Sequence, residues 1–352
     1  MDLTNEEGLR PASELRMRTY LALVALCSTL IAVPLLTLAT WFGVGFGPTA
    51  LATLQAQWPD HIALPFDLRY YSAFKLRRIA AVRPEIVAIG SSRAGGFTAE
   101  DFAPRRFYNF GFTAWSARQV ADELGRVTQV AKPNVVILSL DYFILVDEWE
   151  RQTSDRKQIH DQPLRYFIAS ASHFARTLWE RPEILNLATS YLGIQAMISK
   201  EGFAADGAYH FAPDHIAAAA KTDLNARHLE RSFFGGPEMS PRQKHELERI
   251  ADWCKARHIT LVAVQLPILK DAVDFLDHDE RYYSNAGVWR DFEANETRKW
   301  LSQIGIHFFD LARSDIGASA ENFIDSVHLS KTGMRRAMNE LDALPDFRRL
   351  TR

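Results

Sequence analysis

The sequence predicts an α/β protein: a three-layer α/β/α sandwich around a parallel sheet, preceded by one N-terminal transmembrane helix. Three observations predict it. A long uncharged run follows an arginine-bearing N-terminus. Beyond it, short apolar runs alternate with amphipathic helical patterns, as βαβ units do. The first of those runs stops at Gly90-Ser91-Ser92-Arg93, a strand-end position of the kind where open α/β sheets carry their chemistry.

The uncharged run lies between Thr19 and Trp58, and its most apolar part is residues 20–42. As a helix that part is roughly 35 Å long, at about 1.5 Å per residue. A bilayer core of about 30 Å is spanned with some tilt, with a kink expected at Pro34. Trp41 and Phe42 stand where interfacial aromatics belong. Arg10, Arg16 and Arg18 precede the run, and cations resume only at Arg69. The positive-inside rule then places 1–19 in the cytoplasm and everything after about Pro48 outside. A cleaved signal peptide ending at Ala50-Leu51-Ala52 is the competing reading, but the run exceeds the ~7–15 residues of a signal core.

Four runs read as buried strands: Ile86–Gly90, Val135–Leu140, Ile259–Gln265 and Ile306–Leu311. Helical patterns lie between them. Trp115–Val130 precedes the second strand and Ser240–His258 the third. In the latter, Ser240 is a cap, Pro241 suits the first turn, and Gln243 completes a capping box. Leu247, Ile250, Ala251 and Cys254 share one face, which reads Cys254 as core. A further helix passes through Phe292, Trp300, Leu301 and Ile304 and ends at Gly305, and a last one runs from near Ser330 to about Leu341. The domain plan is thus a tail (1–19), an anchor (20–42), a linker and leading helix (43–82) and an α/β domain (83–345) with an insertion at about 143–239. Within the insertion, Ile184–Ile198 reads as a core helix or as a surface helix on a membrane or partner, and Asp206–Phe211 as a hairpin corner.

Composition excludes some functions. Lys plus Arg number 41 and Asp plus Glu 43, a net charge of −2, so no basic field invites nucleic acid. Two cysteines, Cys27 and Cys254, lie far apart in the chain, and no metal-ligand spacing occurs. No metal or organic cofactor is expected.

A serine needs a base, and the base needs an orienting group. Asp325 and His328 stand three apart before the last helix, in Asn322–Gly333. A bend there lets the carboxylate reach Nδ1 and leaves Nε2 for a serine. The α/β-hydrolase elbow does not fit, because Ala94 occupies its final glycine position and the acid is adjacent to the histidine. A phosphate-binding loop lacks its lysine near Gly95-Gly96.

A Gly-x-Ser early in the chain with Asp-x-x-His before the last helix resembles the SGNH/GDSL hydrolase superfamily, over roughly Arg83 to Leu341. Within it the chain looks most like membrane-anchored, extracytoplasmic members, similar to alginate O-acetylation proteins and the D-alanyl transfer protein of teichoic acids. The resemblance implies an SGNH-like, flavodoxin-like fold with Ser92 as nucleophile, His328 as base and Asp325 as orienter. Phe107–Gln119 resembles the second family block, which implies that the Gly111 amide helps hold the oxyanion, with Asn109 beside it. The third block, usually Gly-x-Asn-Asp, reads Leu138-Ser139-Leu140-Asp141 here. Leu140 replaces the asparagine, and one oxyanion donor is worth ~2.7–4 kcal/mol. Asn109 and Arg93 are candidate substitutes.

The implied function is a serine acyltransferase or esterase acting on O-acyl, chiefly O-acetyl, groups of an envelope or exported polysaccharide. The implied location is the periplasmic face of a bacterial-type inner membrane, and the implied partner is a multi-span membrane O-acyltransferase. The alternative is a catalytically idle polysaccharide-binding or assembly component. Other residues keep two readings. Arg93 binds a substrate group or forms a surface ion pair. Asp141 and Tyr142 line the cleft or are buried. Tyr282, Tyr283 and Trp289 form a sugar-stacking platform or ordinary packing. The run Asp274, Asp277, Asp279, Glu280 reads as a solvated loop, and His160 and His210 as surface or core.

Overall fold

A computed structural model describes residues 12–41, 47–160, 162–182, 190–212, 235–279 and 286–352. The helices in chain order are α1 (Ala12–Trp41), α2 (Pro48–Gln57), α3 (Tyr71–Val82), α4 (Ala117–Val130), α5 (Asp147–Gln152), α6 (Pro163–Glu180), α7 (Ile194–Ser199), α8 (Pro241–Lys255), α9 (Lys270–His278), α10 (Gly287–Glu293), α11 (Asn295–Gln303), α12 (Lys331–Ala343) and α13 (Pro345–Thr351). The strands are β1 (Ile62–Ala63), β2 (Ile86–Ile89), β3 (Phe107–Phe110), β4 (Val135–Ser139), β5 (Tyr191–Leu192), β6 (Gly202–Phe203), β7 (Tyr209–His210), β8 (Thr260–Gln265) and β9 (His307–Asp310).

The chain is α/β. Its main sheet is five-stranded and parallel, in the order β3-β2-β4-β8-β9. Every residue of β2, β3 and β4 is buried, which is why β2 and β4 read as continuous apolar runs without alternation; β3, with Asn109 inside it, is a strand that the sequence reading does not include. Their side chains alternate between two cores. Val87, Ile89, Val136 and Leu138 meet Val120, Leu124, Leu247 and Cys254 of α4 and α8. Ile86, Ala88, Val135 and Ile137 meet Met334, Ala337, Met338 and Leu341 of α12 and Phe347 of α13. The sheet is thus covered on both faces, compatible with a three-layer sandwich. The fold continues past 345, because Phe347 is fully buried against Phe309.

After β2 the chain steps outward to β3, and after β4 it steps the other way to β8. Neighbouring strands whose connections diverge leave a crevice at their carboxyl ends. Gly90 to Arg93 and Leu140-Asp141 sit there.

In the segment read as linker and leading helix, residues 43–46 lie outside the described residues, and the rest carries α2, β1 and α3. In α2, Leu51 and Ala52 are buried, so Ala50-Leu51-Ala52 lies in a packed helix, whereas processing sites favour exposed chain. A small sheet, β5-β1-β6-β7, pairs β1 with strands of the insertion. Its core includes Leu51, Leu64, Tyr71, Phe74, Leu192 and Phe203. The stretch Ile184–Ile198 is not one helix. Residues 183–189 lie outside the described residues, Tyr191–Leu192 is a strand, and Gly193 turns the chain at φ +88° before α7.

Helix α1 holds a stretch, Arg16–Pro34, long and apolar enough to cross a membrane, with mean hydropathy 1.6 and nothing buried. The helix at Phe292–Ile304 is split into α10 and α11. Ser240 caps α8 by accepting from the Gln243 amide, but the Gln243 side chain donates to Asp147 and Glu150 of α5 instead of closing the box. Cys254 is buried in the core.

Candidate active site

Strand β2 ends at Ile89 and the chain turns through Gly90 at φ +147°. A Cβ at Gly90 would lie 3.0 Å from Ser139 Cβ, so the close approach to β4 favours glycine. The two serines that follow divide the work. Ser91 is buried; its Oγ accepts from the Arg93 amide, and its carbonyl accepts from the Ala94 and Phe112 amides. It builds the turn. Ser92 is half-buried and opens a 3-10 turn, Ser92–Gly96, with its hydroxyl 2.8 Å from His328 Nε2.

The histidine arrives on a tight loop before α12. Ile324 N–H donates to the His328 carbonyl, and Ser330 caps α12 by accepting from Gly333 N–H. Asp325 both shapes this loop and orients the ring. Its Oδ1 accepts from the Val327 and His328 amides, each at 2.8 Å. Its Oδ2 lies 2.7 Å from His328 Nδ1. Burial works to raise the Asp325 carboxyl. The His328 hydrogen bond and charge, with the two amides, outweigh it and hold the group down at about 2. A carboxylate at Nδ1 selects the tautomer with its proton there, leaving the Nε2 lone pair toward Ser92.

The oxyanion side differs from expectation. The Ser92 amide has no partner among the described residues. The Gly111 amide is not free to serve, because it donates to Asn109 Oδ1 at 2.7 Å. Nor is Asn109 a substitute donor. Its Nδ2 is spent on the Ala94 and Phe97 carbonyls at 2.7 and 2.8 Å, pinning the turn that begins at Ser92.

Arg93 is neither a substrate ligand nor a surface ion pair. It is buried, with Nε 2.7 Å from Asp141 Oδ1, off the hydrogen-bond line. Its other nitrogens donate to the carbonyls of Val327, Leu266 and Pro267. It therefore ties the Ser92 turn to β4, to the end of β8 and to the His328 loop. Asp141 is buried rather than cleft-lining, and that burial raises its carboxyl despite Arg93, Ser139 and His328. Tyr142 is buried too.

Lys75, on α3, was not singled out by sequence reasoning. It is fully buried, and its Nζ donates to the carbonyls of Asn109, Gly111 and Gly207 at 3.0, 2.8 and 2.9 Å. Burial pushes this amine well below its ordinary value, with Asp206 opposing. The β6–β7 hairpin is thereby stitched to β3. Asn109 N–H donates to the Asp206 carbonyl, and a Cβ at Gly207 (φ +83°) would lie 2.2 Å from the Asn109 carbonyl. The hairpin then brings Phe211 against the His328 ring, with centroids 5.5 Å apart. The signal for Lys75 was present: it falls four residues from both Tyr71 and Ile79, on the buried face of α3.

A cavity of about 510 Å³ opens beside the site rather than at Ser92, with Tyr71, Arg156, Gln195, Glu201 and Tyr209 in its wall. Tyr209 stacks on Phe112, and the Arg156 guanidinium lies 5.6 Å from the Trp115 ring. Both contacts reach the loop after β3. Trp289 is buried with its Nε1 on Asp277, so it offers no stacking face; Tyr282, Tyr283 and Glu280 lie outside the described residues. Asp274 and Asp277 belong to α9 rather than a loop, and Asp277 pairs with Arg313. His160 contacts Glu123 at 3.1 Å, and His210 is exposed on β7. Among the described residues no group of three or more His, Cys, Asp or Glu stands together as metal ligands. Compared with known proteins, the chain matches no family model and no curated relative.

Proposed function

We propose that this chain is a membrane-anchored, serine-dependent acyl-transfer enzyme of SGNH type. The observation that carries the reading is the continuous relay Ser92 Oγ, His328 Nε2, His328 Nδ1, Asp325 Oδ2, with contacts of 2.8 and 2.7 Å. Sheet order supports the fold family: numbered along the chain, the strands run 2-1-3-4-5, the flavodoxin-like order.

In the proposed mechanism His328 removes the Ser92 proton as Oγ attacks an ester carbonyl. Asp325 stabilises the imidazolium, and the Ser92 amide donates to the oxyanion. Collapse expels the alkoxide, which takes the proton from His328. An acceptor hydroxyl or water, deprotonated in turn by His328, then releases the acyl group from Ser92. The family resemblance directs this chemistry to O-acetyl groups of an envelope or exported polysaccharide, on the outer side of the membrane that holds α1. It also supplies the expected partner, a multi-span O-acyltransferase. The neighbouring cavity, with aromatic rings and paired polar groups, suits a hydroxylated chain.

The second reading, a catalytically idle glycan-binding component, is favoured by one observation: the Gly111 amide is closed off by Asn109 while Leu140 offers no side-chain donor. Full-length protein in detergent, exposed to a fluorophosphonate probe and to p-nitrophenyl acetate, separates the two. The enzyme reading expects labelling and acetate release that vanish in Ser92→Ala. Equal, background-level signals from wild type and variant would leave only the binding role.

A further inference from the structure

Helix α6 turns an apolar stripe to the outside. Trp179 is 90% exposed, Leu164 69% and Ile168 57%. These values match Leu30 and Ile31 of the candidate membrane span, at 64% and 63%. At about 100° per residue, Leu164, Ile168, Ala175 and Trp179 fall within one narrow sector. The opposite face is packed: Tyr166, Ser170 and Thr177 are buried. Arg165 and Arg176 border the exposed stripe, and the one acidic residue within α6 is Glu180, at its end.

The place of α6 in the fold says what covers this stripe. Tyr166 packs between Phe66 and Tyr70, with centroids 5.0 and 4.8 Å away. That segment directly follows α2, and α2 begins at Pro48, seven residues after the end of α1 at Trp41. Seven residues reach at most ~25 Å. The unit that carries α6 is therefore the part of the fold tethered to the anchor. An amphipathic helix with tryptophan on its apolar face and arginines along the border suits a bilayer interface with anionic headgroups.

We infer that α6 is a second membrane contact, lying in the interface of the bilayer that α1 spans, with Leu164, Ile168 and Trp179 among the acyl chains and Arg165 and Arg176 at the phosphates. The inference rests on the anchoring role of α1 and is independent of the chemistry at Ser92. It would hold the small sheet and its cavity at the membrane surface.

The test uses the full chain reconstituted into phosphatidylcholine–phosphatidylglycerol vesicles, with and without brominated acyl chains. The emission of Trp179 is taken as the difference between wild type and Trp179→Phe. An interfacial helix buries its apolar face ~5–10 Å deep, so bromolipid should reduce this difference emission about twofold, while acrylamide in the water quenches it weakly. Efficient acrylamide quenching without bromolipid quenching would show the stripe facing water and overturn the inference. Protection from both quenchers would show it covered by protein, with the same consequence. Flotation of the chain with the vesicles checks the anchor separately, and failure to float removes the basis of the inference. Circular dichroism and thermal unfolding of Trp179→Phe confirm that the comparison is between folded proteins.

Discussion

The half of the site that joins Ser92, His328 and Asp325 and the half where an oxyanion would have to lie are built from the same strand ends, yet only the first is assembled. Ser92, His328 and Asp325 form an unbroken relay. Across the cleft, the Gly111 amide is turned onto Asn109 and Leu140 is a core residue. The difference lies in what each half asks of the backbone. The relay needs three side chains at set places, and one short loop supplies two of them. The oxyanion side needs amide directions, and amides are claimed by any nearby acceptor. Here Asn109 claims one while using its own donors to fasten the Ser92 turn. The same residue that stiffens one half closes the other.

The largest effects should come from breaking the relay. Ser92→Ala and His328→Ala are expected to abolish probe labelling, and Asp325→Asn to lower the labelling rate by about 10⁴, through loss of the favoured tautomer. Double variants within the relay should be scarcely worse than single ones, because the three act as a unit. Additive losses would mean that the residues act separately and would break the contrast between the two halves.

Next in size is the strut beneath both halves. Arg93→Met leaves Asp141 buried without its counter-ion and three carbonyls without a donor, a loss of ~3–5 kcal/mol of folding stability in urea titrations. Arg93→Met with Asp141→Leu should recover part of that loss, since it removes the stranded charge. Smaller again, Asn109→Ala leaves the Phe97 carbonyl without its donor and the Ala94 carbonyl with the Phe97 amide alone, and should cost roughly 1–3 kcal/mol. The same change releases the Gly111 amide from Asn109 Oδ1, so the labelling rate per folded molecule should rise, by up to the ~10²–10³ that one oxyanion donor is worth. An unchanged rate would mean that Asn109 is not what keeps the Gly111 amide from an oxyanion, and would break the comparison as drawn.

Particular residues explain what the sequence discloses. Gly90-Ser91-Ser92 after an apolar run, and Asp325 three before His328, are patterns of residue type and spacing, and local geometry carries them into the structure. Arg93 and Asp141 follow strand ends in the same way, and polar residues there suggest contact with substrate. Their burial is decided by carbonyls at Leu266, Pro267 and Val327, more than 170 positions away from Arg93, which no local pattern encodes. Strand β3, Phe-Tyr-Asn-Phe, shows no alternation because both of its faces are buried. The strands of the small sheet are two residues long, too short for any period to register. Lys75 was hidden by its type, since a lysine on an apolar helix face usually lies along the surface with its amine in water.

The smallest expected effect tests the assembled half through its acid. Asp325 has an ordinary value of 3.8 and is held at about 2 in the fold. A carboxylate depressed on folding stabilises the native state above its unfolded value, and that contribution fades as pH falls through the folded value. The window is therefore about pH 4 down to pH 2, and the shift is worth about 2 kcal/mol. Between pH 5 and pH 2 wild type should lose about 2 kcal/mol more than Asp325→Ala, which has no carboxyl to protonate. Ser92→Ala should lose as much as wild type, because the Asp325 contacts with His328 and the two amides do not involve the serine. Parallel stability curves for wild type and Asp325→Ala would mean that the carboxylate is not held by the loop as described. The histidine would then lack its fixed orientation, and the Ser92–His328–Asp325 half would be no better prepared than the half opposite.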